Sequence, residues 1–265
     1  MELPLEINKA SNEGPKFSIF FGKPKVGKTS AFVKLKNHLL IDIDNGSDYV
    51  NSMRIKPKDL HELFEAISLI KKKNEELGVP CYDYIILDTG TVLEDFVLPY
   101  AASLYRNTEL GKRWGRKDDG TIDPKADVKK LPKGAGYLYL REAYLDVLER
   151  LRAITPHFIL ICHCIDTQIE KEGEEMSEMT IALGGQLKSI VASRADAIGY
   201  IYRKGSDTLV DFNNGESSSG QARCLYLKNR KFPIITSDKE NPNDESKFIY
   251  NADKIFDPNA SFDEA

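Results

Sequence analysis

An α/β fold, a mostly parallel twisted sheet flanked by helices with antiparallel strands at its C-terminal end, is what this sequence predicts. Three observations carry that expectation. Short apolar runs alternate with helical patterns through the first two thirds of the chain, as in a parallel sheet covered on both faces. The first run, "FSIFFG" (17–22), leads directly into "GKPKVGKT" (22–29), a G-x-x-x-x-G-K-[ST] pattern in the strand-then-helix setting it requires. The late runs are joined by links too short for a crossover helix, so they must return antiparallel.

The elements follow in order. "FSIFFG" is apolar throughout, which suits a strand buried on both faces. A helix is expected over 28–37, a second buried strand at "HLLIDID" (38–44), and a helix over 58–77, where Leu60, Leu63, Phe64, Ile67 and Ile70 recur at helical spacing. "YDYIILD" (82–88) is a third strand and 92–105 a helix. Residues 106–133 have no period and many turn formers, and are expected as a long mobile loop, a length that in compact domains signals function or disorder. Leu140, Tyr144, Val147, Leu148 and Leu151 mark a further helix, and "HFILICHC" (157–164) a fourth strand. Residues 165–183 fit a hairpin and 184–196 a short helix. "AIGYIYR", "TLVDF" and "RCLYLKN" are late strands, and "KFIYN" has weak strand character. In "LYLKNRKFP" (225–233) the alternation of a strand puts Lys228 and Arg230 on one face and Leu225 and Leu227 on the other. Two cations there fit either a solvated edge strand or a functional pair. The expected organisation is one domain over 1–236 and an acidic tail over 237–265.

At 265 residues, 41% hydrophobic and 29% charged, the chain suits one large α/β domain. No apolar run approaches the roughly 20 residues that span a bilayer, and "MELPLEINKA" lacks the pattern of a signal peptide. The four cysteines form no C-x-x-C pair, so a reducing cytoplasm is the expected setting. The net charge of −4 argues against coating duplex DNA by bulk charge. Charge is uneven, however. Residues 106–133 hold nine Lys/Arg and five Asp/Glu, whereas 165–180 hold one Lys and six Asp/Glu, and 237–265 three Lys and eight Asp/Glu.

The glycines of "GKPKVGKT" let the backbone wrap a phosphate with its N–H groups pointing inward. Gly22, Lys23, Pro24, Lys25, Val26, Gly27, Lys28, Thr29 and Ser30 are therefore the expected nucleotide-binding set, with Lys28 on the β- and γ-phosphates and Thr29 on Mg²⁺. Asp88, at the end of "YIILD", suits the second Mg²⁺ position, the alternative being a helix cap. Asp42 and Asp44 share a face if their strand continues. Asp44 can then orient or deprotonate an attacking water, or it can serve the turn at "DNG". His163 ends the strand beside the loop, where it can sense the γ-phosphate. Cys162 and Cys164 alternate to the opposite face, which argues against a zinc site with it. No N-K-x-D follows a strand, so ATP rather than GTP is expected.

Taken in order, "GKPKVGKT", "LLIDID", "YIILD", "ILICHC", "GGQLKSIVASRAD" and "LYLKNRKFP" resemble the RecA recombinase core. They are also similar to short phage nucleotide-binding proteins that include single-strand annealing ATPases. The resemblance covers roughly residues 15–235. It implies a RecA-like P-loop NTPase, an ATPase using ATP and Mg²⁺, with Lys28, Asp44, His163, Lys228 and Arg230 in catalytic roles. Asp44 stands where RecA has its catalytic Glu, one methylene shorter. His163 stands at the γ-phosphate-sensing Gln. Lys228 and Arg230 stand where RecA carries Lys-Asn-Lys, cations that complete the ATP site of a neighbouring subunit. A homo-oligomer, ring or filament, is implied, as is action on single-stranded DNA in annealing or recombination, in a bacterial host cytoplasm if the chain is phage-encoded. Two departures stand out. RecA's flanking domains have no counterpart, and 165–180 is acidic where RecA has a basic DNA loop.

A DNA-binding segment is therefore expected at Lys112, Arg113, Trp114, Arg116 and Lys117, cations around the chain's single Trp. The alternative is a solvated loop with Trp114 folded onto the core. Two other functions fit the same loop: an ATP switch for a protein partner contacted through the acidic tail, and a small-molecule kinase with 106–133 as lid.

Overall fold

The computed structural model describes residues 13–123, 126–171, 174–213, 219–241 and 244–262, without the side chains of 169–171 and 174–176. The tip of the expected hairpin (172–173) and the end of the expected tail (263–265) lie outside the described residues. Among the described residues, no helix is long and apolar enough to cross a membrane.

Strand β1 (Phe17–Gly22) is buried along its whole length. Phe17, Ile19 and Phe21 point into one apolar cluster and Phe20 into another. That two-sided burial is why the run shows no polar alternation. Helix α1 (Lys28–Phe32) is shorter than the expected 28–37. Asn37, at φ 53, turns the chain into β2 (His38–Asp42), and β3 (Arg54–Ile55) is a short parallel edge that periodicity could not reveal. Helix α2 (Leu60–Leu77) starts where the N-cap Asp59 accepts from the Glu62 N–H at 2.9 Å, and the Glu62 carboxylate accepts from the Lys58 N–H at 2.8 Å.

Strand β4 (Tyr84–Asp88) is followed by two helices where one was expected, α3 (Gly90–Phe96) and α4 (Leu98–Arg106). Pro99 at the start of α4 suits a fresh helix start, because its missing N–H is needed by no carbonyl there. Helix α5 (Gly136–Arg152) precedes β5 (His157–Lys171), which runs past the expected end at 164 to pair antiparallel with β6 (Glu174–Ile181). Helix α6 (Leu187–Arg194), β7 (Ala197–Lys204) and β8 (Asp207–Asp211) follow as expected.

With β10 (Lys231–Thr236) and β11 (Ile249–Tyr250) at one edge, the order β11-β10-β8-β7-β1-β5-β4-β2-β3 runs across the sheet. Strands β7, β1, β5, β4 and β2 are parallel, and β5 separates β1 from β4. The centre of the sheet is thus parallel strands flanked by helices, with antiparallel β8 added at the C-terminal side. The next strands depart from expectation. Residues 223–229 are not a strand. A two-residue β9 (Gln221–Ala222) gives way to turns closed by Lys228 N–H to Cys224 C=O (3.2 Å) and Arg230 N–H to Leu227 C=O (3.0 Å), with Asn229 at φ 58. The strand is β10 (Lys231–Thr236), antiparallel to β8. The segment expected as an appended tail adds β11 (Ile249–Tyr250) to the sheet edge and buries Ile255 and Phe256 in the second cluster.

Candidate functional site

β1 ends at Gly22 with β7 so close that a Cβ there would lie 2.2 Å from the Ile201 carbonyl oxygen, so only glycine fits. The loop then closes on itself. Lys28 is 7% exposed, and its ammonium donates to the carbonyls of Gly22 and Lys23 at 2.8 Å each. Burial pushes its pKa below the ordinary lysine value, and Asp88 works the other way. Gly27, at φ 96, takes a left-handed conformation that side chains rarely adopt, just before α1. Thr29 and Ser30 follow in the first turn of that helix.

The Thr29 hydroxyl donates to Asp88 Oδ2 at 2.6 Å. Asp88 does not cap α3: Thr89 does, accepting from the Val92 N–H at 3.2 Å. The peptide between Asp88 and Thr89 is cis. Asp88 is 7% exposed, and burial pushes its carboxyl above the usual range. The Thr29 hydroxyl opposes that rise, and the nearby carboxylates Asp42 and Asp44 add to it.

Asp42 and Asp44 have separate roles. The strand ends at Asp42, whose carboxylate accepts from the Gly46 and Ser47 N–H groups and the Ser47 hydroxyl and pairs with Lys56 at 3.4 Å. Burial acts to raise its pKa, but the Ser47 hydrogen bonds and Lys56 outweigh it and leave it lowered. Asp42 is thus the acid of the turn. Asp44, its N–H 3.3 Å from the Asp88 carbonyl, projects past the strand end, and its Oδ2 lies 3.7 Å from His163 Nε2. His163 is paired with Gly22 across β1 and β5, and the Thr91 hydroxyl accepts from its N–H at 3.1 Å. The structure therefore brings Lys28, Thr29, Asp88, Asp44 and His163 to one end of the sheet.

Lys228 and Arg230 are not among them. Both are exposed on the turn before β10, not alternating on a strand, and Leu225 is 84% exposed instead of sharing a buried face with Leu227. Lys231 pairs with Asp211, Asp211 with Tyr200, and Tyr200 with Phe21. Arg230 thus sits three strands, about 14 Å, from β1, below the level at which the phosphate-binding loop leaves the sheet. Its guanidinium lies over the Phe262 ring, 5.7 Å from the centroid.

In the basic segment, Trp114 packs edge-on against Tyr105 with centroids 5.4 Å apart, so its ring is held by the core rather than offered outward. Lys112 pairs with Glu109 at 2.7 Å, and Arg116 donates to the Lys112 and Gly120 carbonyls within its own loop. Arg113 and Lys117 remain on the surface.

Two contacts escaped sequence reasoning. Thr91 fastens the His163 backbone, and the Thr208 hydroxyl donates to the Val26 carbonyl at 3.0 Å. Their partners lie 72 and 182 residues away, and no local pattern marks such pairs.

The sequence pattern of the AAA domain matches residues 15–231, most of the chain. A search of curated proteins found no match. Among solved structures, the crystal structure of the RadB recombinase is 11% identical, covering 89% of this chain and 91% of that one, with a TM-score of 0.44.

Proposed function

The chain belongs to the AAA domain family, and from that premise we propose that it is a Mg²⁺-dependent ATPase whose site is built by Lys28, Thr29, Asp88, Asp44 and His163. The AAA domain, with its phosphate-binding loop, implies ATP binding. The observation that carries the finer proposal is the contact between Thr29 and Asp88, 2.6 Å apart at the foot of the loop that Lys28 closes. A hydroxyl and a buried carboxylate converging there are a donor set for a hard cation, and Mg²⁺ keeps several waters, so two protein groups suffice. Thr29 and Asp88 would hold it, and when bound it supplies charge neutralisation at the phosphate oxygens.

The chain's own groups do the rest. Lys28 exchanges its two carbonyl partners for phosphate oxygens. Asp44 orients the attacking water and takes its proton, with His163 Nε2 on the same spot to hold the water or a γ-phosphate oxygen. Lys228 and Arg230 lie outside the cluster at their own loop, and the role proposed for them is at the site of a second copy in a homo-oligomer. Single-stranded DNA is the proposed macromolecular partner, through exposed Arg113 and Lys117. Phosphate release by the wild type and by Lys28→Ala, with and without Mg²⁺ and with and without a single-stranded oligonucleotide, tests these points together. Metal-independent release, or release unchanged in Lys28→Ala, rejects the site, and a rate indifferent to oligonucleotide rejects the DNA role.

A further inference from the structure

We infer that Thr208 sets the orientation of a phosphate-binding peptide and is thereby a positioning residue for the nucleotide; the inference rests on the nucleotide reading above. Thr208 belongs to β8, two strands away from β1, and its hydroxyl donates to the Val26 carbonyl at 3.0 Å. The residue is 2% exposed, so bulk water does not compete for that bond.

The peptide between Val26 and Gly27 is trans, and in a trans peptide the carbonyl and the following N–H point in opposite directions. Holding the Val26 oxygen against β8 turns the Gly27 N–H away from β8, toward the loop interior. An inward N–H at this point is one of the donors from which such a loop makes its anion nest. The support is tight. A Cβ on Gly27 would stand 3.2 Å from Ile235 Cδ1 and 3.3 Å from Thr208 Oγ1, and Ile235 is the β10 residue paired with Thr208. The antiparallel strands thus form a floor under the loop, and Thr208 is the polar anchor in that floor. Without the hydroxyl the peptide is free to rotate, and the cost of ordering it falls on ligand binding.

Two pairs of variants that differ by the hydroxyl test this: wild type against Thr208→Val, and Thr208→Ser against Thr208→Ala. ADP affinity by titration calorimetry should fall about tenfold from the hydroxyl-bearing to the hydroxyl-free member of each pair, the effect of losing about one hydrogen bond. In ATP turnover the loss should appear in KM with kcat little changed. A merely structural role would shift melting temperature and leave affinity level within each pair. The second pair keeps the comparison valid should Thr208→Val fail to fold. Equal ADP affinity within the pairs overturns the inference while leaving the nucleotide site intact. Failure of the wild type to bind ADP overturns both.

Discussion

Asp44 Oδ2 and His163 Nε2 stand 3.7 Å apart, one just past the end of β2 and the other midway along β5, level with the Gly22 from which the phosphate-binding loop leaves β1. At that separation one water can contact both groups. His163→Ala should therefore lower kcat for ATP hydrolysis by about 10²-fold, the lower range for a group acting on a proton in flight, with KM within about threefold. Steady-state kinetics check this, and a proportionate rise in KM would instead place His163 in ground-state binding.

Asp88 predicts a change in stability opposite to its effect on function. Burial raises its folded pKa above the unfolded value, so the folded state holds the proton more tightly. Stability is then full below the unfolded pKa and is lost as pH rises through the folded one. Asp88→Asn removes that cost. At neutral pH and without ligands its melting temperature should exceed wild type, while the Mg²⁺-dependent part of its ATP affinity disappears. Thermal melts from pH 4 to pH 8, with titrations with and without Mg²⁺, measure both.

Much of this site was legible because it is local. The P-loop pattern, the strand before it and Asp88 at a strand end each lie within a few residues. The division of labour between Asp42 and Asp44 was not, because it depends on where β2 stops, and Ser47 and Lys56 decide that from beyond the strand. Residues 223–229 read as a strand because Leu225 and Leu227 alternate with polar neighbours. Asn229 was the contrary signal: Asn tolerates the left-handed conformation a turn needs, and the chain turns there. The acidic composition after Thr236 concealed Ile255 and Phe256, two apolar residues that become buried only through tertiary packing.

Mixing experiments address Lys228 and Arg230. The double variant Lys228→Ala, Arg230→Ala should bind ATP and hydrolyse it at least about 10³-fold more slowly, as when an arginine finger is lost. Lys28→Ala should be inactive for the opposite reason. Mixed, the two should regain turnover, because an intact P-loop would face intact cations. Absence of recovery, with both proteins folded, would show that the cations do not act between subunits.

Trp114 offers a direct probe of nucleic-acid binding, as the chain's single Trp held against Tyr105. Single-stranded oligonucleotide should change its emission, and Arg113→Ala with Lys117→Ala should flatten the salt dependence of binding by about 1.4 in log–log slope, near 0.7 per phosphate contact. An unchanged spectrum and slope would remove this loop from the DNA interface.

The central claim is that one set of side chains binds ATP through Lys28 and hydrolyses it through Asp44. The most direct measurement is ATP affinity and phosphate release on the same preparations of wild type, Lys28→Ala and Asp44→Asn, all with Mg²⁺. The wild type should bind and hydrolyse. Lys28→Ala should do neither, and Asp44→Asn should bind within about threefold of wild type while kcat falls about 10²- to 10⁴-fold. Phosphate release at the same rate from all three would contradict the account.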